Sequence, residues 1–115
     1  MNYQKIGNGI IANDTSHIGD IDGIIFDCDG VLVDVSKSYD LAIQKTTQYV
    51  LKKFANIKSI PITAKIICGF KSTGGFNDEV DVTYASIISL VAARKLGVND
   101  TRFIFRVIKM QTAPE

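Results

Sequence analysis

An apolar run that stops abruptly at a cluster of aspartates is the feature that most constrains this chain. Ile24, Ile25 and Phe26 are β-branched or aromatic, and Asp27-Cys28-Asp29-Gly30 follows them directly. A short run of this kind, bounded by a glycine and a polar turn, predicts a buried strand. Because the apolar character is continuous rather than alternating, it favours a parallel strand covered on both faces. The sequence therefore predicts an α/β fold in which residues 24–26 form an inner strand that ends at Asp27.

Length and charge narrow the class of protein further. The chain has 115 residues, which corresponds to one domain or to part of one. Its net charge of +1 indicates neither a nucleic acid nor an anionic membrane as partner. No apolar run approaches the roughly 20 residues that span a bilayer, and no secretory signal is visible. Cys28 and Cys68 form no CxxC pair and are typical of a reducing compartment, so we expect a cytoplasmic protein.

Two long stretches after the acidic turn carry apolar residues at three- and four-residue spacing, which is typical of amphipathic helices. The first predicts a helix over residues 36–55, with a serine as its N-cap. The second predicts a helix over residues 81–96, with Asp78 or Asp81 as its N-cap and Gly97 at its end. The predicted apolar face of the first helix consists of Tyr39, Ala42, Ile43, Thr46, Tyr49, Val50 and Phe54.

Two shorter helices are expected as well. Thr63 is a suitable N-cap for a helix that carries Ile66, Ile67 and Phe70. A last helix is predicted to start at Asn99 or Asp100. A strand is the alternative for this last stretch, because it is dense in β-branched residues.

The two aspartates of the turn form the main candidate site. At the carboxyl end of a parallel strand they would lie where open α/β folds bind ligands, and Gly30 would let the backbone turn sharply. Cys28, between them, would point to the opposite side of the strand, into packing. Two clustered carboxylates repel each other, and Mg²⁺ relieves that repulsion because it prefers carboxylate oxygen, phosphate and water as ligands. A turn with two solvated aspartates is the alternative. An EF-hand is excluded, because Gly30 stands at position 4 of the loop rather than at position 6.

Residues 24–34, Ile-Ile-Phe-Asp-Cys-Asp-Gly-Val-Leu-Val-Asp, resemble the first signature motif of the haloacid dehalogenase-like (HAD) hydrolase superfamily. That motif is an apolar strand followed by D-x-D-G-[TV]-[LI]-x-D. The resemblance implies a Rossmann-like core and a Mg²⁺-dependent phosphatase that acts on a small phosphorylated metabolite. It makes Asp27 the nucleophile that forms an aspartyl-phosphate and Asp29 the general acid and base. It also implies that Mg²⁺ is held by the carboxylate of Asp27 and the backbone carbonyl of Asp29.

The predicted helices lie where one branch of this superfamily, similar to phosphoglycolate phosphatase, carries a helical cap. The resemblance thus divides the chain into residues 1–35, the first part of the core, and residues 36–115, a mainly helical cap-like region. The segment Lys71-Ser72-Thr73-Gly74-Gly75-Phe76-Asn77-Asp78 resembles a cap loop of that branch. It would make Lys71, Gly74 and Gly75 substrate-binding residues. A solvated loop lysine is the alternative interpretation of Lys71.

The superfamily also uses a phosphate-binding Ser or Thr, a distant Lys and a second acidic pair, none of which can be placed in this sequence. Asp78, Glu79 and Asp81 imitate the acidic pair, but no apolar strand precedes them. Three interpretations stay open. The chain is an N-terminal portion of a phosphatase with an incomplete core sheet and little activity alone; it is a non-catalytic relative that binds Mg²⁺ or a protein; or the motif is accidental in a helical interaction module. Because the predicted strand would lack neighbours, we also expect self-association through the uncovered core.

Overall fold

The computed structural model describes residues 3–13 and 17–112. The chain divides into two compact units between Val33 and Asp34, which we call the N-terminal unit and the helical unit. The described residues form a mixed α/β structure that is mostly helical. The division lies near residue 35, where the resemblance to the HAD superfamily placed the end of its core segment.

Four helices make up the helical unit, and all four were predicted from the apolar spacing. They are α1 (Ser36–Ala55), α2 (Ala64–Ser72), α3 (Glu79–Leu96) and α4 (Asp100–Thr112). The strand alternative for the last stretch is therefore wrong. In this unit α3 packs against both α1 and α4, and α2 packs against α4 and α3.

Local capping explains where α3 and α4 begin. The carboxylate of Asp78 accepts a hydrogen bond from the backbone N–H of Asp81 at 2.8 Å, so α3 starts before the predicted residue 81. The side chain of Asn99 accepts from the backbone N–H of Arg102 at 2.9 Å and caps α4 in the same way. α1 starts at residue 36 as predicted, but the predicted serine N-cap is wrong, because Val35 occupies that position.

The buried apolar side chains of the helical unit come from all four helices and from the segment before α2. This core consists of Ile43, Leu51, Ile62, Ile66, Ile67, Phe70, Val82, Ala85, Leu90, Ala93, Ile104 and Ile108.

The buried stripe of α1 is narrower than predicted. Ile43, Thr47 and Leu51 are buried at four-residue intervals, whereas the predicted face residues Tyr49 and Phe54 are exposed. The reason is that α1 packs chiefly against a single helix, α3, and one neighbour covers only a narrow stripe of a helix. The predicted face would have required a second neighbour.

In the N-terminal unit, a two-stranded antiparallel hairpin pairs β1 (Gln4–Gly7) with β2 (Ile10–Ala12), and the register is irregular between Lys5 and Gly7. A single 3-10 turn follows at Ile18–Asp20.

The predicted buried strand at residues 24–26 is wrong. Residues 21–27 have neither helical nor strand structure, and Ile25 is 100% exposed, Ile24 72% and Phe26 61%. A strand exists only where a neighbour accepts its backbone hydrogen bonds. The only sheet among the described residues is the antiparallel hairpin, so a Rossmann-like parallel sheet is absent from the part of the chain that the structure describes.

None of the described helices combines the length and apolar character that a membrane span requires.

Candidate functional site

The backbone after Asp27 closes into a tight turn around one carbonyl group. The carbonyl oxygen of Cys28 accepts hydrogen bonds from the N–H groups of Leu32 and Val33, each at 2.9 Å. The N–H of Gly30 donates back to the carbonyl of Val33 at 2.8 Å. These bonds make residues 28–33 a locally ordered turn that needs no neighbouring strand.

Gly30 is required by the backbone path of this turn. Its φ of +79° lies in the left-handed region, which L-residues with a side chain adopt at a cost of about 1–2 kcal/mol. No atom lies within 4 Å of the position where a Cβ would stand, so the requirement comes from the backbone conformation and not from crowding. The prediction that Gly30 allows a sharp turn is confirmed.

The two candidate catalytic aspartates lie at the start of this turn, and both are exposed. One carboxylate oxygen of Asp27, Oδ1, accepts from the N–H of Cys28 at 2.8 Å. No hydrogen bond from the described residues reaches the other oxygen, Oδ2, which is therefore the atom open to a reactant. Asp29 forms an isolated parallel bridge with Val33, which holds its backbone against the end of the turn. Asp27 and Asp29 thus stand two residues apart at the start of the turn, and their predicted catalytic roles stay a prediction.

Cys28, between the two aspartates, is exposed. The sequence placed it in packing, on the opposite side of a strand from its neighbours. That prediction is wrong because the segment is a turn, and a turn does not alternate its side chains between two faces.

Asp34, the last residue of the motif, has a structural role at the start of the helical unit. Its Oδ1 accepts from the hydroxyl of Ser36 at 2.6 Å and from the backbone N–H of Ser36 at 3.0 Å. The pKa of Asp34 lies below its ordinary value, chiefly because of the hydrogen bond from the Ser36 hydroxyl. The hydrogen bond from the Ser36 backbone N–H lowers it further. This aspartate satisfies an N–H at the start of α1, the role that the sequence assigned to a serine.

Lys71, predicted to bind substrate, is paired with a residue of its own unit. Its Nζ lies 2.9 Å from Oε1 of Glu79, across the loop between α2 and α3. The hydrogen bond from Lys71 is the main reason that the pKa of Glu79 is below its ordinary value. Lys71 is thus a partly exposed lysine that pairs with Glu79, and its predicted role in substrate binding stays a prediction.

The two predicted substrate-binding glycines follow the end of α2. Gly74 has a φ of +77° with open space around it, so it is needed for the turn after α2. The N–H of Gly75 reaches the hydroxyl of Thr73 at 3.4 Å. These contacts order the loop, and they leave the predicted role in substrate binding untested.

The acidic residues that imitate the second acidic pair also have structural partners. Asp78 caps α3, and Glu79 binds Lys71. Sequence reasoning missed the Lys71–Glu79 pair because its partners are eight residues apart across a loop, which no helical or strand period marks.

The donor set of the acidic turn matches only part of what Mg²⁺ takes. Among residues 3–13 and 17–112, no three His, Cys, Asp or Glu side chains converge as a metal-binding group. Asp27 and Asp29 would therefore supply one or two hard oxygen ligands. A Mg²⁺ ion commonly takes that number from protein, with water and substrate phosphate completing its octahedron, so the two residues fit the ion.

Comparison with known proteins found no match to this chain among family models, curated proteins or solved structures. The resemblance to the HAD superfamily consequently rests on the sequence alone, on the motif at residues 24–34 and the loop at residues 71–78.

Proposed function

We propose that the acidic turn carries out Mg²⁺-dependent phosphoryl transfer of the HAD type, with Asp27 as nucleophile, and that this chain alone turns over slowly. The observation that supports the proposal is the turn itself. It presents Asp27 and Asp29 two residues apart, both exposed, on a backbone fixed by hydrogen bonds to the Cys28 carbonyl.

In the proposed reaction, Oδ2 of Asp27 attacks the phosphorus of a phosphate monoester. A bond forms between that oxygen and phosphorus while the bond to the leaving alcohol oxygen breaks, and Asp29 gives its proton to that oxygen. A water molecule then attacks the phosphorus of the aspartyl-phosphate and gives a proton to Asp29. Inorganic phosphate leaves, and Asp27 returns to its starting form.

Mg²⁺, held by Asp27 and Asp29, would offset the negative charge that gathers on the phosphoryl oxygens. The residues themselves position the nucleophile, because the Cys28 N–H holds Oδ1 of Asp27 and leaves Oδ2 as the attacking atom.

Slow turnover follows from the charges that a phosphoryl group needs around it. Efficient transfer requires preorganised donors for the phosphoryl oxygens. Lys71, the candidate cation, is engaged by Glu79 at 2.9 Å, and the sequence offers no recognisable phosphate-binding Ser or Thr loop. We therefore expect the substrate, a small phosphorylated metabolite, to be bound weakly.

A non-catalytic relative that binds a protein partner is the second candidate. The observation that favours it is the exposure of the whole apolar run at residues 24–26, which a protein surface would cover.

The test is an assay of the purified chain with Mg²⁺ and an aryl phosphate. We expect slow hydrolysis that EDTA abolishes. Asp27→Asn keeps the shape of the side chain but removes the nucleophile, so hydrolysis should stop. Asp29→Asn should slow it by roughly 10²–10⁴-fold, the usual contribution of a general acid and base.

Asp22→Asn is the matched control, because Asp22 is exposed in the same unit but lies outside the turn. It should keep the wild-type rate. Mg²⁺-dependent hydrolysis that survives Asp27→Asn would show that Asp27 is not the nucleophile. Rapid turnover abolished by Asp27→Asn would show that the chain holds phosphate-binding groups that we have not identified.

A further inference from the structure

Among the described residues of the N-terminal unit, no buried side chains form a core. Every described side chain up to Val33 is exposed or half-buried. Large apolar side chains dominate its exposed surface, and they are Tyr3, Ile6, Ile10, Ile11, Ile21, Ile24, Ile25, Phe26, Val31, Leu32 and Val33. A two-stranded hairpin is marginal in water, and segments below about 40 residues usually need a metal, a disulfide or another chain. This unit therefore requires a surface to pack against.

The two units carry opposite net charges, although the net charge of the whole chain is only +1. Residues 1–33 contain five aspartates and one lysine, a net charge of −4. Residues 34–115 contain twelve Lys and Arg against seven Asp and Glu, a net charge of +5. The acidic charge is interleaved with the apolar run, in the order Asp20-Ile21-Asp22-Gly23-Ile24-Ile25-Phe26. We call these seven residues the acidic–apolar segment.

A groove of the helical unit has the complementary character. It has a volume of ≈ 620 Å³ and lies between the end of α3 and the start of α4. We call it the arginine groove, and its lining consists of Leu96, Val98, Asn99, Arg102, Phe103 and Arg106.

The two arginines of this groove are one helical turn apart, so they lie on one face of α4. Neither Arg102 nor Arg106 forms a salt bridge with any described residue, whereas Arg94 nearby is paired with Asp100 at 2.8 Å. Leu96 and Val98 are exposed beside them. A segment that carries both aspartates and large apolar side chains would pair with the two arginines and cover the apolar residues of the groove.

The segment supplies a modest contact area. At about 25 cal/mol per Å², the 1.5–3 kcal/mol gained by burying one large aliphatic or aromatic side chain corresponds to roughly 60–120 Å². Four such side chains give roughly 240–480 Å² per copy, so the two segments of a reciprocal dimer bury roughly 500–1,000 Å² before the groove lining is added. That total is the size of a weak, transient protein–protein interface.

We propose that two copies of this chain associate reciprocally, with the acidic–apolar segment of each copy seated in the arginine groove of the other. In such a two-fold symmetric dimer, the segment and the groove of each copy are both covered, so no further copy can add to the assembly through them. This inference rests on the second candidate function, in which the apolar run binds a protein, and it does not depend on phosphoryl transfer.

The test is a pair of charge reversals measured by sedimentation equilibrium. Arg102→Glu/Arg106→Glu and Asp20→Arg/Asp22→Arg each place like charges in the segment and the groove, so each should weaken dimerisation by about tenfold or more. An equimolar mixture of the two variants restores opposite charges at both contacts. The mixture should therefore recover the wild-type dimer.

Lys45→Glu/Lys58→Glu is the matched control, because it makes the same charge change on exposed residues outside the groove. It should leave the dimer unchanged. A wild-type chain that stays monomeric up to about 100 µM would overturn the proposal, because that concentration is above the micromolar Kd values at the weak end of protein–protein interfaces. So would a mixture that fails to dimerise, or a control that weakens the dimer as much as the groove variant. None of these results depends on Asp27 chemistry, which the phosphatase assay tests separately.

Discussion

Thr47 is the one described residue with a fully buried side-chain oxygen that has no hydrogen-bond partner. It lies on the buried stripe of α1 between Ile43 and Leu51 and is 0% exposed. A helical threonine can satisfy its hydroxyl at the carbonyl one turn earlier, as Thr83 does at 2.7 Å, but Thr47 does not. Folding thus removes the Thr47 hydroxyl from water without giving it a hydrogen-bond partner in the protein.

Replacing Thr47 with Val keeps the branched shape and exchanges the hydroxyl for a methyl group. Burying an unpaired hydroxyl costs about 1–3 kcal/mol in proteins, and the variant removes that cost. The helix propensities of Thr and Val are similar, so the intrinsic preference of α1 hardly changes. We therefore expect Thr47→Val to raise the free energy of unfolding by about 1–2 kcal/mol. For a folded unit of this size that corresponds to a rise in Tm of roughly 4–8 °C per kcal/mol.

The assay is urea unfolding followed by far-UV circular dichroism, which reports the four helices. The midpoint should rise at an unchanged slope, the sign of a stability change alone. Thr46→Val is the matched control, because Thr46 is the exposed neighbour on the same helix, and it should change stability by less than about 0.5 kcal/mol. A Thr47→Val variant that is less stable than wild type, or that shifts no more than the control, would refute the burial of an unpaired hydroxyl.

Two further predictions concern stability. Phe70 is fully buried, and its ring centroid lies 5.3 Å from that of Phe76 in an edge-to-face contact. Phe70→Ala should therefore lower the free energy of unfolding, measured in urea, by about 3–5 kcal/mol. Phe54→Ala is the control and should change it little, because Phe54 is exposed. The hydrogen bond from Lys71 lowers the pKa of Glu79. The pair therefore stabilises the fold fully at pH values above the ordinary pKa of Glu79. This stabilisation is lost as the pH falls through the lowered pKa. Glu79→Gln should therefore be less stable than wild type at neutral pH, by under about 1 kcal/mol because both side chains are partly exposed, and the two urea midpoints should converge in acid. A difference that persists unchanged in acid would mean that the carboxylate charge does not cause it.

The helices could be predicted because the determinants of a helix are local. Asp78 caps α3 through a residue three positions away, and Asn99 caps α4 in the same way. Both caps are readable from sequence spacing. The buried width of α1 could not be read in this way, since it depends on how many neighbours the helix has.

The prediction of a strand at residues 24–26 was wrong because the determinants of a strand are not local. Its apolar pattern is a genuine preference, but a strand needs a partner from elsewhere, and the described residues supply none. The turn that follows was predictable because the hydrogen bonds between Cys28 and Val33 are local. The charge division could also be predicted from the sequence, because the boundary expected at residue 35 already separates an acidic segment from a basic one.

The measurement that tests the central proposal most directly is capture of phosphoryl-Asp27 by mass spectrometry. Acetyl phosphate is the suitable donor, because acetate leaves without needing a proton from Asp29. In Asp29→Asn the first step should therefore proceed while the attack of water stalls for lack of a base. We expect a Mg²⁺-dependent increase of one phosphoryl group on Asp29→Asn, located at Asp27, and none on Asp27→Asn/Asp29→Asn. Absence of the adduct, or an adduct of equal size in the double variant, would contradict the assignment of Asp27 as the nucleophile.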